Sequence, residues 1–402
     1  MNQVLSQSFF VGIMQPLRER QEALAIWLVQ HLKIMTLTEY FDQLKSKDLI
    51  CWGSGKHFRS CTLPFLQKNG LMERLKGFVQ MPGAKPLPEK GEVLPLIPRG
   101  HLSRMDPERT VLLIAVTGYE EVLRQLQADL DLASFEAIPS LFLSFLYEDL
   151  ELLAAKKPPL GYHKHDAPVI PKILHAIWFS GEAMPPLYRR CLDSWKRYAP
   201  DCEIRIWDLK SYHPDGCLFF DQAIADRNWA FASDYARVDL LRRYGGIYMD
   251  LDVEMLRPIE DLLHNDAYMS FESLERIECG SGMGAIPGHP ILQEICESYE
   301  SRPYFKADGT WDNSTCPVRY TQILERHGLQ KDGSFQAVED ITVYPFEMLT
   351  CKSFDTGVIY RTEHSYTLHH HNGSWIPASA RGALLERYEQ IRAFLEARDI
   401  TA

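Results

Sequence analysis

Residues 229–259 read WAFASDYARVDLLRRYGGIYMDLDVEMLRPI, and the fold class turns on how this stretch changes character at its middle. Up to Tyr244 the pattern is helical, and Asp234 and Arg237, three apart, share one helix face. Gly245 and Gly246 then allow the sharp left-handed exit that closes a helix. IYMDLDVEML alternates with a period of two, so the spacing predicts a strand over 247–256. Ile247, Met249, Leu251 and Val253 fall on one face of it, and Tyr248, Asp250 and Asp252 on the other. A helix returning through glycines into a buried strand is the repeating unit of an α/β sheet, whose strand ends are where ligands bind.

Two carboxylates side by side on a strand raise each other's pKa unless a cation lies between them. A divalent metal held by hard oxygen ligands removes the conflict and recruits substrate phosphates to its shell. The tripeptide alone carries little weight, because Asp129–Asp131 repeats it at what reads as an ordinary helix end. Context separates the copies: Asp234, Arg237, Tyr248, Asp250 and Asp252 converge near one strand end. A solvated acidic strand face and a surface Asp234–Arg237 ion pair are the bland alternatives.

Outward from this unit, KILHAIWFSG (172–181) reads as a strand running into a loop at Trp178, and DSWKRYAPDCEIRIWD as helix, turn and strand. MGAIPGHPILQEICESY follows as loop and helix, then SYTLHHHNGSW, with a final amphipathic helix over 379–398. Upstream, residues 16–47 have helical spacing. DLICW precedes a Gly53-Ser54-Gly55 turn and a helix ending at Gly70, and VLLIAVTG precedes YEEVLRQLQADL. This predicts 1–157 as a helical lead plus a Rossmann-like accessory domain, 158–168 as a proline-rich linker, and 169–402 as the main α/β domain. The Gly-Ser-Gly turn resembles a dinucleotide fingerprint, but Phe58 stands at the third glycine and Gly77-Phe78-Val79-Gln80 brings no ribose-binding acid. A nucleotide-sensing or NAD-binding protein led by this domain is therefore the alternative from another class.

Hydrophobic residues make up 46% and charged residues 24%, which suits a globular protein with sizeable cores. A net charge of -11 argues against nucleic acid as a partner. The pairs Arg189-Arg190 and Arg242-Arg243 read as solvated faces, with peripheral membrane contact left open. No export signal and no transmembrane stretch are visible, and nine cysteines without C-x-x-C spacing suggest neither a zinc ribbon nor a disulfide framework. The expected compartment is the cytoplasm, extending to the inner face of the membrane.

ASDYARVDLLRRYGGIYMDLDVEMLRPI resembles the signature of the DXD-motif sugar transferases of glycosyltransferase family 32, which share their core with clostridial glucosylating toxins. The likeness extends to IPKILHAIWFSG and HHHNGSW, and so covers residues 168–376 in outline, with 260–365 matching loosely through SGMGAIPGHP. The resemblance implies a GT-A fold and retaining transfer of a hexose from a nucleotide sugar, UDP-linked or alternatively GDP-mannose. The acceptor it implies is a saccharide or glycolipid in surface polysaccharide synthesis, or a protein if the chain is toxin-like. By position it implies Trp178 against the nucleobase, and Asp234 and Arg237 on the donor sugar and its phosphate. Tyr248 and Asp250 contact the ribose end, and Asp252 ligates Mn2+ or Mg2+ beside Asp250. His369 or His370 stands near the metal, with Ser374 and Trp375 near the β-phosphate. Catalysis is implied for Asp234, Arg237 and Asp252.

Overall fold

The computed structural model describes residues 35–80, 87–89, 92–159, 162–214, 216–312, 314–373 and 376–401. The first half of the expected lead helix, together with Ser374 and Trp375, lies outside them. Internal contacts divide the chain into two units, residues 1–146 with 389–402, and residues 147–388.

In the first unit a helix at Leu37–Leu44 opens with a capping box in which Thr36 and Glu39 bond reciprocally. Its sheet contains β1 (Asp48–Trp52), β2 (Leu75–Val79), β3 (Leu96–Ile97), β4 (Thr110–Ile114) and β5 (Glu136–Pro139). All neighbours are parallel in the order β3-β2-β1-β4-β5. β1 and β4 are buried almost throughout, as continuous apolar runs in parallel sheets are. Gly53 leaves β1 at φ 110°, and a Cβ there would stand 2.7 Å from Val116. Asp129 caps the helix Tyr119–Ala128 and receives Asp131 N–H and Arg99, so this copy of Asp-Leu-Asp is a helix end, as expected.

The second unit is built on β6 (Ile173–Ile177), β7 (Glu203–Trp207), β8 (Gly246–Tyr248), β9 (Val253–Met255), β10 (Ala267–Ser273), β11 (Arg276–Glu278), β12 (Met283–Ala285), β13 (Gln336–Val338), β14 (Ile341–Tyr344) and β15 (Thr367–His369). The main sheet runs β7-β6-β8-β12-β10-β14-β13, with β11 pairing on β10. β7, β6 and β8 are mutually parallel, and β12 is antiparallel to both of its neighbours. This is a mixed α/β sheet.

The helix Trp229–Tyr244, α1, is buried on nearly every side: residues 234–241 are all in the interior. Gly245 and Gly246 leave it at φ 62° and 96°, and a Cβ on either would collide with neighbouring backbone at 2.9 Å or less. Arg242 and Arg243 are not a solvated basic face. Both grip Asp239, which is 0% exposed and also accepts from Tyr212 Oη at 2.8 Å. A fully buried carboxylate needs such paired donors.

The expected strand over 247–256 is two strands. β8 belongs to the main sheet, whereas β9 leaves it to pair antiparallel with β15. Asp250–Asp252 form the turn between them, closed by Val253 N–H donating to Asp250 O at 3.0 Å. The two faces sort as the alternation requires. Ile247, Met249, Leu251 and Val253 enter one core with Leu174 and Trp195, while Tyr248 faces the other core with Tyr235 and Met283.

Candidate active site

The break after β8 puts Asp250 and Asp252 at the carboxyl end of the parallel strands, on the wall of a cavity of about 590 Å3. Trp178, Tyr188, Trp229, Arg237, His369 and His371 line the same cavity. Trp178 follows β6; its Nε1–H donates to Glu182 O at 2.8 Å, and its ring meets Tyr188 edge-on.

Asp250 is held from three sides. Tyr248 Oη donates to its Oδ1 at 2.7 Å, and Arg237 Nη2 stands 3.5 Å from the same oxygen. Its backbone N–H donates to Gly280 O at 2.8 Å. Arg237 is itself buried: it donates to Ser233 O and Cys279 O at 3.2 Å and lies 4.9 Å over the Tyr248 ring. Its Nη2 is 3.1 Å from Asp234 Oδ1. The expected i,i+3 pair therefore exists, in the interior and not on the surface. Burial pushes the Asp234 carboxyl up, against the pull of Arg237.

Asp252 is held by a different part of the chain. The β9–β15 register sets Val253 opposite His369, which brings His369 Nε2 to 3.4 Å from Asp252 Oδ1. Asn372 N–H donates to Asp252 Oδ2 at 2.7 Å, and His370 N–H to Asp252 O at 3.0 Å. Burial alone would raise the Asp252 carboxyl; the His369 charge and the Asn372 amide outweigh it and hold the group well below the usual carboxylate range. His369 moves the other way. Burial opposes its charge, but Asp252 and Glu278 raise it well above an ordinary imidazole.

The three neighbouring histidines have three different places. His369 faces Asp252; His371, at φ 52°, stacks against His369 with ring centroids 4.1 Å apart and lines the cavity. The His370 ring points to Glu254, 3.0 Å away, so its contact with Asp252 is through the backbone N–H alone.

Asp250, Asp252 and His369 form a group whose ligand atoms all lie within 4.8 Å of one another. Two ligands on one Mg2+ span at most about 4.2 Å, so shifts of well under about 1 Å bring the three onto one ion. Two carboxylates and an imidazole are also a donor set that suits a borderline-hard divalent ion. The residues present fit a metal.

Two residues of this site had not been singled out from the sequence. Glu278, 6% exposed, lies behind His369, and Gly280 lies under Asp250. Their segment, ECGSGMG, carries no spacing that marks them.

A buried cationic side chain, an Asp-x-Asp turn at a strand end and an adjoining cavity thus share one site. Residues 185–269 match the family described as the glycosyltransferase sugar-binding region containing the DXD motif. The chain is 31% identical over 137 residues to inositol phosphoceramide mannosyltransferase 3 of Schizosaccharomyces pombe, covering 33% of this chain and 38% of that protein. It is 35% identical over 139 residues to a human alpha-1,4-N-acetylglucosaminyltransferase, with the same coverage. The chain thus spans 38% of the length of both relatives. Among solved structures, PaToxG glycosyltransferase aligns at 18% identity and a TM-score of 0.33 over 46% of this chain and 76% of that one. The matched residues 185–269 fall within the second unit, which in that stretch is similar to DXD-containing glycosyltransferases.

Proposed function

We propose that the chain is a metal-dependent retaining glycosyltransferase that moves a hexose from a nucleotide sugar to a saccharide or glycolipid acceptor. The observation that carries this is the convergence of Asp250, Asp252, His369 and Arg237 on one cavity that Trp178 also lines. Breaking the anomeric C–O bond leaves negative charge on a diphosphate. A divalent cation, when bound by Asp250, Asp252 and His369, supplies the charge that neutralises that diphosphate. Arg237, rigidly buried and with Nη2 directed at Asp250, adds a fixed positive charge that needs no reorganisation as the leaving group forms. Asp234 holds that guanidinium in place and is the carboxylate nearest the sugar. Trp178 offers an aromatic face to the nucleobase, and Tyr248 fixes the Asp250 carboxylate.

Relatives named as a mannosyltransferase and an N-acetylglucosaminyltransferase use different sugars, so the donor is set by residues beyond the shared motif. A UDP-sugar is our reading, with GDP-mannose the competing donor and the cytoplasm, extending to the inner face of the membrane, the place of action. Among the described residues no helix is long and apolar enough to cross a membrane. The test is a thermal-shift titration with UDP, GDP and NAD, each with and without Mn2+, on wild type and Asp252→Ala. Stabilisation by UDP only with Mn2+, abolished in the variant, is the expected result. The same pattern with GDP alone would redirect the donor to mannose. No Mn2+-dependent shift with either nucleotide would overturn the enzyme reading.

A further inference from the structure

The cation reading of Asp250, Asp252 and His369 leaves one buried carboxylate unexplained. Glu278 ends β11, in the hairpin that β11 forms with β10, and is 6% exposed. A carboxylate that far from water is retained only where donors or charges compensate it. Its partners are specific. Glu278 Oε1 accepts from Gly280 N–H at 2.6 Å and from Ser281 N–H at 3.2 Å, which folds residues 278–281 into a tight turn around the carboxylate. The same oxygen stands 3.5 Å from His369 Nδ1.

The turn reaches both sides of the site. Gly280 O, presented by that turn, accepts the backbone N–H of Asp250 at 2.8 Å. Ser281 Oγ lies 3.3 Å from His369 Nδ1, and Ser281 O accepts from Thr367 Oγ1 at 2.9 Å. Thr367 and His369 are the two ends of β15. One carboxylate therefore touches the ring that offers Nε2 to Asp252 and shapes the loop on which Asp250 rests.

We infer that Glu278 is a positioning residue for the cation site: it orients His369 through Nδ1 and seats Asp250 through the Gly280 turn. A histidine that gives Nε2 to a metal keeps its proton on Nδ1, and a carboxylate behind Nδ1 selects that tautomer and makes Nε2 a better donor. Outer partners of this kind are worth about 10–100-fold in metal affinity. Glu278 acts through His369 and Asp250 and touches no substrate.

This inference rests on the proposed function only in taking the three residues as a cation site, and the experiment separates the two. Mn2+ binding to the full chain, without nucleotide, is titrated by electron paramagnetic resonance on wild type, Glu278→Gln and Ser281→Ala, alongside metal-free melting temperatures. Glu278→Gln keeps an oxygen for Gly280 N–H but loses the charge. The expected result is Mn2+ affinity lowered about 10-fold or more in Glu278→Gln, with a metal-free melting temperature near wild type. Wild-type affinity in a folded Glu278→Gln overturns the inference and leaves the cation site standing. Absence of saturable Mn2+ binding in wild type overturns both. Should Glu278→Gln not fold, Ser281→Ala decides: weaker Mn2+ binding supports the positioning of His369, and unchanged binding overturns it.

Discussion

Replacing Gly280 by alanine is the most local perturbation the site offers. A Cβ at Gly280 would lie 2.1 Å from Asp250 Oδ2, 2.8 Å from Asp250 Cγ and 3.2 Å from Glu278 Oε1. Contacts under 3.0 Å do not persist, so the carboxylate of Asp250 must retreat by about 1 Å or more. Retreat breaks its 2.7 Å bond from Tyr248 Oη and its approach to Arg237. The backbone at Gly280 is not in the left-handed region, so alanine brings no conformational strain of its own. Overpacking costs about 1–3 kcal/mol, and the reduced freedom of the unfolded chain offsets about 0.4–1 kcal/mol of that. The melting temperature should therefore fall by only a few degrees. A catalytic group displaced by ~1 Å can lose about 100-fold in rate, equivalent to about 2.7 kcal/mol of barrier. The assay is kcat/KM for Mn2+-dependent turnover of the nucleotide sugar, with Gly55→Ala as control, since nothing lies within 4 Å of a Cβ there. Turnover in Gly280→Ala within threefold of wild type would refute the argument that Asp250 must rest on Gly280.

Exchanging the histidines one at a time should separate their roles: His369→Ala weakens Mn2+ binding by at least about 10-fold, as the loss of a ligand must, while His370→Ala stays within twofold. Equal effects in calorimetric titration would contradict the geometry. Asp149 is buried and accepts from Thr356 Oγ1 at 2.7 Å and Tyr360 Oη at 2.9 Å, yet burial pushes it up to about 7 from 3.8. Its folded pKa is raised, so the folded state binds the proton more tightly, and that stability is lost as pH rises from near 4 to near 7, at about 1.4 kcal/mol per pH unit. Asp149→Asn should therefore raise the melting temperature more at pH 8 than at pH 5; the reverse order would show that the carboxylate is needed ionised. Asp239→Ala strips the shared acceptor from Tyr212, Arg242 and Arg243. Both arginines are partly exposed and keep other acceptors in Gln293 and His213 O, so the loss should be about 1–3 kcal/mol, read by denaturant unfolding, and a loss below about 1 kcal/mol would mean that the cluster is solvated after all.

What the sequence discloses about this site is local. The period of two in residues 247–253 assigns Tyr248 and the four apolar side chains to their correct cores, and the three-residue spacing of Asp234 and Arg237 places them together. Neither rule can see that β9 abandons the sheet, because the cause is β15, which approaches from far downstream. The same distance hides Glu278, Gly280 and the Asn372 amide. Two misreadings did have a local remedy. Asp239 stands three and four residues before Arg242 and Arg243, the spacing of ion pairs along a helix. In a strand over Thr367–His369 the same alternation that sorted β8 puts Thr367 and His369 on one face, with His370 on the other.

The two aspartates differ in a way that bears on how the site is completed. Asp250 is secured by Tyr248, Arg237 and Gly280, all of them buried, in β8, in α1 and in the turn after β11. Among the described residues the Asp252 side chain is held instead by residues 369–372, through the His369 ring and the Asn372 amide. Whatever binds across the pair therefore ties this downstream segment to the sheet. A ligand that prefers the assembled state stabilises it by mass action, by about 2.7 kcal/mol at a hundredfold excess over Kd. Hydrogen exchange should slow by up to about 100-fold at residues 367–373 when Mn2+ and nucleotide are added together. It should change little in 234–241, which are buried without ligand. Equal protection of both segments would mean that binding acts on the unit as a whole, and no protection of 367–373 would show that Asp252 holds this segment without help from a ligand.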